Sequence, residues 1–285
     1  MADMIVPEPG LYVDVPAATY HGTWAACSQS TLKKFDGGTP PAKVIWELEN
    51  PEAPSNSMEK GTALHARVLQ PEQFDDLVKL GPTATRRSGK WKDMKKARPD
   101  LCLLEAPEME AVRMMADSLL HHPAFRELMD AGFDWQPEVA VCTDLTGEDP
   151  DTGEEYVVRA KGLLDWWLEE LGWYIDLKTT ADASPEAFRK SVVNYGYHIQ
   201  GAFYDRLLAT EGHRVERVIL ALVENKPPYL AAVREIDPAS LSLGSQKIDK
   251  LLARYYRCAS TGDWHGYSDD IEFTGVPEWA LRQAV

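Results

Sequence analysis

The feature that most restricts the fold is a run of strand-forming residues in the middle of the chain. Residues 138–143, 156–167 and 173–179 are rich in Val, Ile, Leu, Tyr and Trp and are predicted as three strands. A turn cluster of Gly, Asp and Pro at 147–153 separates the first two, and Gly172 lies between the second and the third. Because strands joined by short turns pair with their chain neighbours, the sequence predicts an antiparallel meander.

Helices and two further strands flank this meander. Helical spacing of apolar residues, with Ser, Asp or Pro at the starts, predicts the helices, and strands are expected at 215–224 and 229–236. We expect an α/β (α+β) sandwich around one mixed sheet, as a single domain over 1–285 with a helical part at about 1–130 and a catalytic sheet core at about 134–260. The predicted helices before the meander are 30–35, capped by Ser30, then 41–48, 57–69, 107–119 and 124–129. Those after it are one opened by Pro185, 197–210 and 238–258.

Composition excludes some classes of protein. The chain has no apolar run long enough to cross a bilayer, and its first residues lack the pattern of a signal peptide, so we expect a soluble, cytoplasmic protein without a membrane partner. Its four cysteines are far apart and form no CxxC pair, which argues against a zinc ribbon or an iron–sulfur cluster.

Charge is distributed unevenly along the sequence. The formal net charge is −15, which taken alone argues against a nucleic-acid partner. Residues 86–98, however, carry seven basic side chains against one acidic one. A basic loop on an acidic body favours a focused contact with a polyanion, although a solvated loop without a ligand is the alternative.

The residues most suited to catalysis lie on the second and third predicted strands. A short turn brings Asp165 beside the third strand, where Asp176 and Lys178 are two residues apart and share a face. Carboxylate oxygens suit Mg²⁺, with Mn²⁺ as a substitute. Asp165 and Asp176 would hold the metal, the Leu177 carbonyl could be a further ligand, and Lys178 would orient a water for phosphodiester hydrolysis. The alternative is a cross-strand salt bridge of Lys178 with either aspartate.

These residues belong to a longer set of motifs. Gly162-Leu163-Leu164-Asp165 followed by Asp176-Leu177-Lys178-Thr179-Thr180 resembles two motifs of the RecB-like branch of the PD-(D/E)XK nucleases. A G-x-x-x-H motif precedes them, ending at His65, and a Q-x-x-x-Y motif follows, at Gln200 and Tyr204. The resemblance implies the PD-(D/E)XK restriction-endonuclease-like core and adds His65, Gln200 and Tyr204 to the site, with His65 near the metal. We expect Gly61 to let the helix of His65 approach the sheet closely.

Two further features are similar to the RecE-type (exonuclease VIII-like) phage and prophage enzymes. They are the segment from Ser28 to Phe35 with the following Pro40-Pro41-Ala42, and the basic Lys90-Trp91-Lys92. In these enzymes the preceding strand also supplies an acid, which in this chain would be Glu138. The residues expected to contact DNA are Ser30, Arg86, Arg87, Lys90, Trp91, Lys92, Lys95 and Lys96.

The resemblance implies an activity and partners. RecE-type enzymes degrade one strand of duplex DNA from its 5′ end, with Mg²⁺, and leave a 3′ overhang for a RecT-like strand-annealing protein. A ring-shaped homo-oligomer, a trimer or a tetramer, is also implied. Two alternatives remain: a RecB-like single-strand nuclease or endonuclease, and a non-catalytic protein that binds DNA ends on the same fold.

Overall fold

The computed structural model describes residues 4–282 and is built around a mixed sheet. The strands are β1 (Gly10–Tyr12), β2 (Cys27–Ser28), β3 (Val78–Leu80), β4 (Cys102–Leu104), β5 (Gln136–Glu148), β6 (Glu155–Leu168), β7 (Trp173–Thr180), β8 (Arg217–Glu224) and β9 (Ala231–Glu235). The helices are α1 (Ala17–Gly22), α2 (Gln29–Phe35), α3 (Pro41–Glu49), α4 (Asn56–Leu69), α5 (Phe74–Leu77), α6 (Gly89–Ala97), α7 (Ala106–Leu120), α8 (Pro123–Asp130), α9 (Pro185–Asn194), α10 (Tyr197–Thr210), α11 (Pro238–Thr261) and α12 (Glu278–Arg282).

The main sheet has the strand order β1-β5-β6-β7-β8-β9, and β2 pairs with β6. Strands β5, β6 and β7 form the expected antiparallel meander. Strand β8 joins β7 in parallel, and β9 closes the edge antiparallel to β8. Strands β3 and β4 form a separate parallel pair. The mixed sheet with helices on both faces confirms the predicted fold class.

Two apolar cores lie on opposite faces of the sheet. On the α4 side, Leu64 and Val112 from α4 and α7 pack with Ile175 and Leu177 of β7. On the α10 side, α10 and α11 pack against the other face, which includes Tyr174. Successive residues of β7 thus alternate between the two cores, and both faces of the strand are buried. No helix described within residues 4–282 combines the length and the apolar character needed to cross a bilayer.

Two local expectations are wrong. A Cβ at Gly61 would meet no described atom within 4 Å, so this glycine is not needed for close packing of α4. The close approach occurs instead at Gly162, where a Cβ would lie 2.7 Å from Leu207 and 2.9 Å from Tyr204. The cap of α2 is Ser28, whose hydroxyl accepts from the Thr31 amide, and not Ser30.

The basic segment is a helix over much of its length and not a loop. Helix α6 begins after Ser88, whose hydroxyl accepts from the Trp91 amide at 3.2 Å. Trp91 is buried and packs with Leu101 and Leu103 in a small satellite core. The serine cap and the buried indole explain why a segment dense in positive charge is helical.

Candidate active site

The acidic residues of the site occupy one row across the sheet. The register of β5 and β6 places Glu138 opposite Asp165, and the register of β6 and β7 places Asp165 opposite Asp176. The β5–β6 ladder skips the first of these pairs, and the β6–β7 ladder ends one pair before the second. Glu138 has a φ of 52°, which strands do not adopt. The backbone pairing is therefore interrupted at the row where the acids meet.

The interruption changes the direction of side chains along β6. Leu164 and Trp167 both belong to the core on the α10 side, whereas Trp166 belongs to the core on the α4 side. In a regular strand Leu164 and Trp166 would share a face, so the alternation slips by one position at Asp165. Asp165 and Trp166 thus both face the α4 side, where the Asp165 carboxylate meets His65.

His65 on α4 connects β6 and β7. Its Nδ1 lies 3.5 Å from Asp165 Oδ1, and its Nε2 lies 3.0 Å from the Leu177 carbonyl oxygen. The Leu177 amide donates to Asp165 Oδ2 at 2.6 Å. The imidazole thus contacts the Leu177 carbonyl, the oxygen that the sequence suggested as a metal ligand.

A group suited to a divalent cation lies at this point of the sheet. His65, Glu138 and Asp165 each place one ligand atom within 4.8 Å of the other two. Burial raises the pKa of Glu138 to about 7, and the charge of Asp165 adds to the shift. Burial also raises the pKa of Asp165. A cation would stabilise the charges of the buried Asp165 and the half-buried Glu138, and an oxygen-rich set with one imidazole fits Mn²⁺ or Mg²⁺.

Asp176 lies beside this group with partners of its own. Its Oδ1 accepts from the Tyr174 hydroxyl and from Gln200 Nε2, each at 2.8 Å, and its Oδ2 lies 2.6 Å from Lys178 Nζ. In the part of the chain that the structure describes, Asp176 is outside the three-residue group. The structure thus brings Asp176, Lys178 and Gln200 together as predicted. Asp176 lies next to the group of His65, Glu138 and Asp165 but is not part of it.

Neighbouring carboxylates stabilise the positive charge of Lys178. Burial alone would lower the pKa of Lys178, but Asp176 and Asp165 outweigh that effect and raise it. Tyr204 is buried, and its ring meets that of Tyr174 edge-on at 5.4 Å between centroids. Tyr204 therefore supports Tyr174, which in turn bonds to Asp176.

Sequence reasoning did not identify Tyr174 as part of the site. It lies two residues before Asp176 in a strand, and this spacing alone places both side chains on the same face. Sequence reasoning also assigned no contact to Lys33. Its Nζ donates to the carbonyl of Tyr195, in the turn between α9 and α10, at 2.9 Å.

The basic segment contains both structural and exposed residues. Arg86 is paired with Glu59 and Glu108, and its guanidinium lies over the Trp91 ring. Lys95 donates to the Leu101 carbonyl at 2.6 Å. Trp91 is buried, so the expectation that its ring contacts DNA is wrong, and Arg86 and Lys95 are held by the protein. The exposed cations among those predicted are Arg87, Lys90, Lys92 and Lys96.

Comparisons with known proteins support this fold. One structure has a TM-score of 0.55 and 14% identity over 91% of this chain and 94% of its own, and its protein is called a candidate exonuclease from Eubacterium rectale. Another, a phage-related exonuclease from Haemophilus somnus 129PT, has 12% identity over 84% of this chain and 97% of its own, but its TM-score is only 0.34. No curated protein matches the sequence.

The family assignment rests on most of the chain. The profile of a family described as a PDDEXK-like domain of unknown function matches residues 28–276. This span includes α2, the whole meander with Asp165 and Asp176, and α10. The chain belongs to this family of PDDEXK-like domains, DUF3799.

Proposed function

We propose that this chain is a Mg²⁺-dependent DNA exonuclease that degrades one strand of linear duplex DNA. The observation that carries the proposal is the grouping of His65, Glu138 and Asp165 within 4.8 Å, beside a Lys178–Asp176 pair at 2.6 Å. A cluster of metal ligands next to a lysine supplies the parts that hydrolysis of a phosphodiester needs. The name of the similar Eubacterium rectale protein agrees with a nuclease.

The carboxylates of the site would serve as ligands of the metal ion. Mg²⁺ held here would supply positive charge to a phosphoryl oxygen and would lower the pKa of the attacking water. Glu138 and Asp165 would hold the ion through carboxylate oxygens, with His65 beside them. Asp176 and the Leu177 carbonyl are proposed as further ligands.

Lys178 would act on the attacking water and on the charge that develops on the phosphoryl oxygens. Its Nζ is held 2.6 Å from Asp176, and Gln200 and Tyr174 fix the other oxygen of that carboxylate. A cation held in this way needs little reorganisation when the reaction occurs. Gln200 and Tyr174 are therefore positioning residues for Lys178.

The exposed cations of α6 and of the residue before its cap are proposed to hold the DNA backbone. Arg87, Lys90, Lys92 and Lys96 carry positive charge to solvent on a chain whose net charge is −15, and Ser30 is exposed on α2. Such contacts to phosphates fix position without reading sequence. An acidic exterior with these cations turned toward a central channel suits a ring-shaped trimer or tetramer on DNA.

We further propose a RecE-type role in the cytoplasm, with 5′→3′ polarity and a 3′ overhang passed to a RecT-like annealing protein. Linear duplex labelled at the 5′ end of one strand, or at its 3′ end, tests this together with closed circular duplex. A 5′→3′ exonuclease releases the 5′ label early as mononucleotides, releases the 3′ label late, and leaves circles intact. Early release of the 3′ label would overturn the polarity, and cut circles would identify an endonuclease.

A further inference from the structure

A stack of three aromatic rings leads from the protein interior to the surface beside the candidate active site. Phe188 of α9 is buried and stacks on Tyr197 at 5.8 Å between centroids, with 20° between the ring planes. Tyr197 stacks on Tyr195 at 5.7 Å and 28°. Tyr195 is the outermost ring, and 55% of the residue is exposed.

Two lysines lie along this stack. Lys178 Nζ is 5.5 Å from the centroid of the Tyr197 ring, and Lys33 Nζ is 5.8 Å from that of Tyr195. Lys33 is itself exposed, and its bond to the Tyr195 carbonyl fixes its ammonium group beside the ring. Burial lowers the pKa of Lys33, and the positive charge of Lys178 adds to this effect. An anion bound beside Lys33 would offset this effect.

Packing explains the inner rings but not the outer one. Phe188 and Tyr197 belong to the core on the α10 side or pack against it. Tyr195 joins α2 to the α9–α10 turn through its backbone carbonyl, a contact that needs no aromatic side chain. An exposed ring backed by a second ring, with a cation at its edge, is the arrangement on which single-stranded nucleic acids stack.

We propose that Tyr195 and Lys33 form a subsite for single-stranded DNA, in which a base stacks on the Tyr195 ring and Lys33 binds an adjacent phosphate. The subsite rests on the proposed function, since it leads the strand to Lys178 through Tyr197. Stacking uses the face of any base, so the subsite has no sequence preference. A base stacked on Tyr195 cannot be paired, so the DNA strand is single-stranded at this subsite.

The test measures binding without cleavage. A single-stranded oligodeoxynucleotide containing 2-aminopurine is titrated into the full chain in EDTA, and fluorescence reports stacking. We expect quenching with the wild type and with Tyr195→Phe. Tyr195→Ala should lose the quenching and bind about 5- to 150-fold more weakly, the range for one base on an aromatic ring. Lys33→Ala should keep the quenching and reduce the salt slope by about 0.7.

Tyr267→Ala is the matched control, because this tyrosine is also highly exposed (83%) and lies in the C-terminal segment, outside the stack. Wild-type affinity and quenching in Tyr195→Ala would overturn the subsite. Cleavage of linear duplex in Mg²⁺ is measured separately. A wild type that binds and quenches but never cleaves refutes the proposed function and leaves the subsite standing, whereas cleavage with normal binding by Tyr195→Ala refutes the subsite alone.

Discussion

Glu138 and Asp165 face each other on adjacent strands, yet the ladder that pairs their neighbours on both sides skips them. At the skipped pair the backbone of Glu138 has a φ of 52°. This conformation costs a non-glycine residue about 1 to 3 kcal/mol. At this break the two carboxylates lie within 4.8 Å of His65 and of each other. The candidate metal site therefore coincides with a strained interruption of the strand pairing.

The first prediction concerns metal affinity. Asp165→Asn and Glu138→Gln should each weaken Mn²⁺ binding by at least about 100-fold, since even partners outside the ligand set contribute 10- to 100-fold. Both variants should fold at least as stably as the wild type, because each removes one of two clustered like charges. Calorimetric titration with Mn²⁺ measures the affinity. Asp144→Asn is the control, since Asp144 lies on the same sheet and is paired with Arg159. Unchanged affinity in both site variants would refute this assignment.

The second prediction separates Lys178 from the ligands. Lys178→Ala should keep metal and DNA affinity within a few-fold but lose at least about 100-fold in turnover, as expected for a group that acts on the proton or charge of the reacting atoms. Single-turnover cleavage with preloaded DNA gives the rate, and calorimetry gives the affinity. Loss of metal binding with an unchanged rate at saturating metal would instead make Lys178 structural, through its contact with Asp176.

The third prediction follows from the pKa of Glu138 in the metal-free protein. The folded carboxyl keeps its proton up to about pH 7, whereas the unfolded one loses it near pH 4.5. The protonated Glu138 therefore contributes fully to the free energy of unfolding below pH 4.5, and this contribution is lost as the pH rises through 7. At about 1.4 kcal/mol per pKa unit, a shift from 4.5 to about 7 makes the loss at most about 3.5 kcal/mol. Urea melts in EDTA between pH 4.5 and 8 measure it. Glu138→Gln should flatten this slope, and a slope equal to that of the wild type would rule out Glu138 as its cause.

The fourth prediction concerns four exposed cations at α6: Arg87 just before the helix, and Lys90, Lys92 and Lys96 within it. Neutralising all four should weaken duplex binding equally for all sequences, and the slope of log K against log salt should fall by about 0.9 per lost phosphate contact. Salt titrations in EDTA measure this. The control neutralises four exposed arginines elsewhere: Arg113, Arg126, Arg214 and Arg282. If both variants shift the slope equally, the effect is net charge, and α6 has no special role.

Sequence reasoning was most successful where periodicity and turn residues agree. The helix at 197–210 and the strands at 156–167 and 173–179 lie within one residue of their predicted bounds, whereas the strand predicted at 138–143 extends over 136–148, into the predicted turn cluster. The spacing of Asp176 and Lys178 was enough to predict a shared face, because strand alternation is regular there. The resemblance to the RecB-like motifs, and not spacing or periodicity, was what added Gln200 to the predicted site, and its side chain contacts Asp176.

Features that depend on tertiary contacts could not be predicted. The slip at Asp165 arises from a paired irregularity in β5 and β6, and no residue type in Gly162-Leu163-Leu164-Asp165 marks it. The contact of His65 with the Leu177 carbonyl depends on how α4 docks. Short strands such as β2 and β3 have only two or three residues and carry too little pattern to detect. The basic segment was predicted to be a loop because it is rich in charged residues, and nothing in the sequence indicated that Trp91 is buried in a small core.

The central claim is that the row of Glu138, Asp165 and Asp176, with Lys178, hydrolyses DNA with a divalent metal. The most direct measurement incubates purified wild type and Asp165→Asn with linear duplex DNA, in Mg²⁺ and in EDTA, and follows release of acid-soluble nucleotides. We predict release by the wild type in Mg²⁺ alone, and none above background from the variant under either condition. Release in EDTA, equal release by the variant, or no release by the wild type in either Mg²⁺ or Mn²⁺ would contradict the claim.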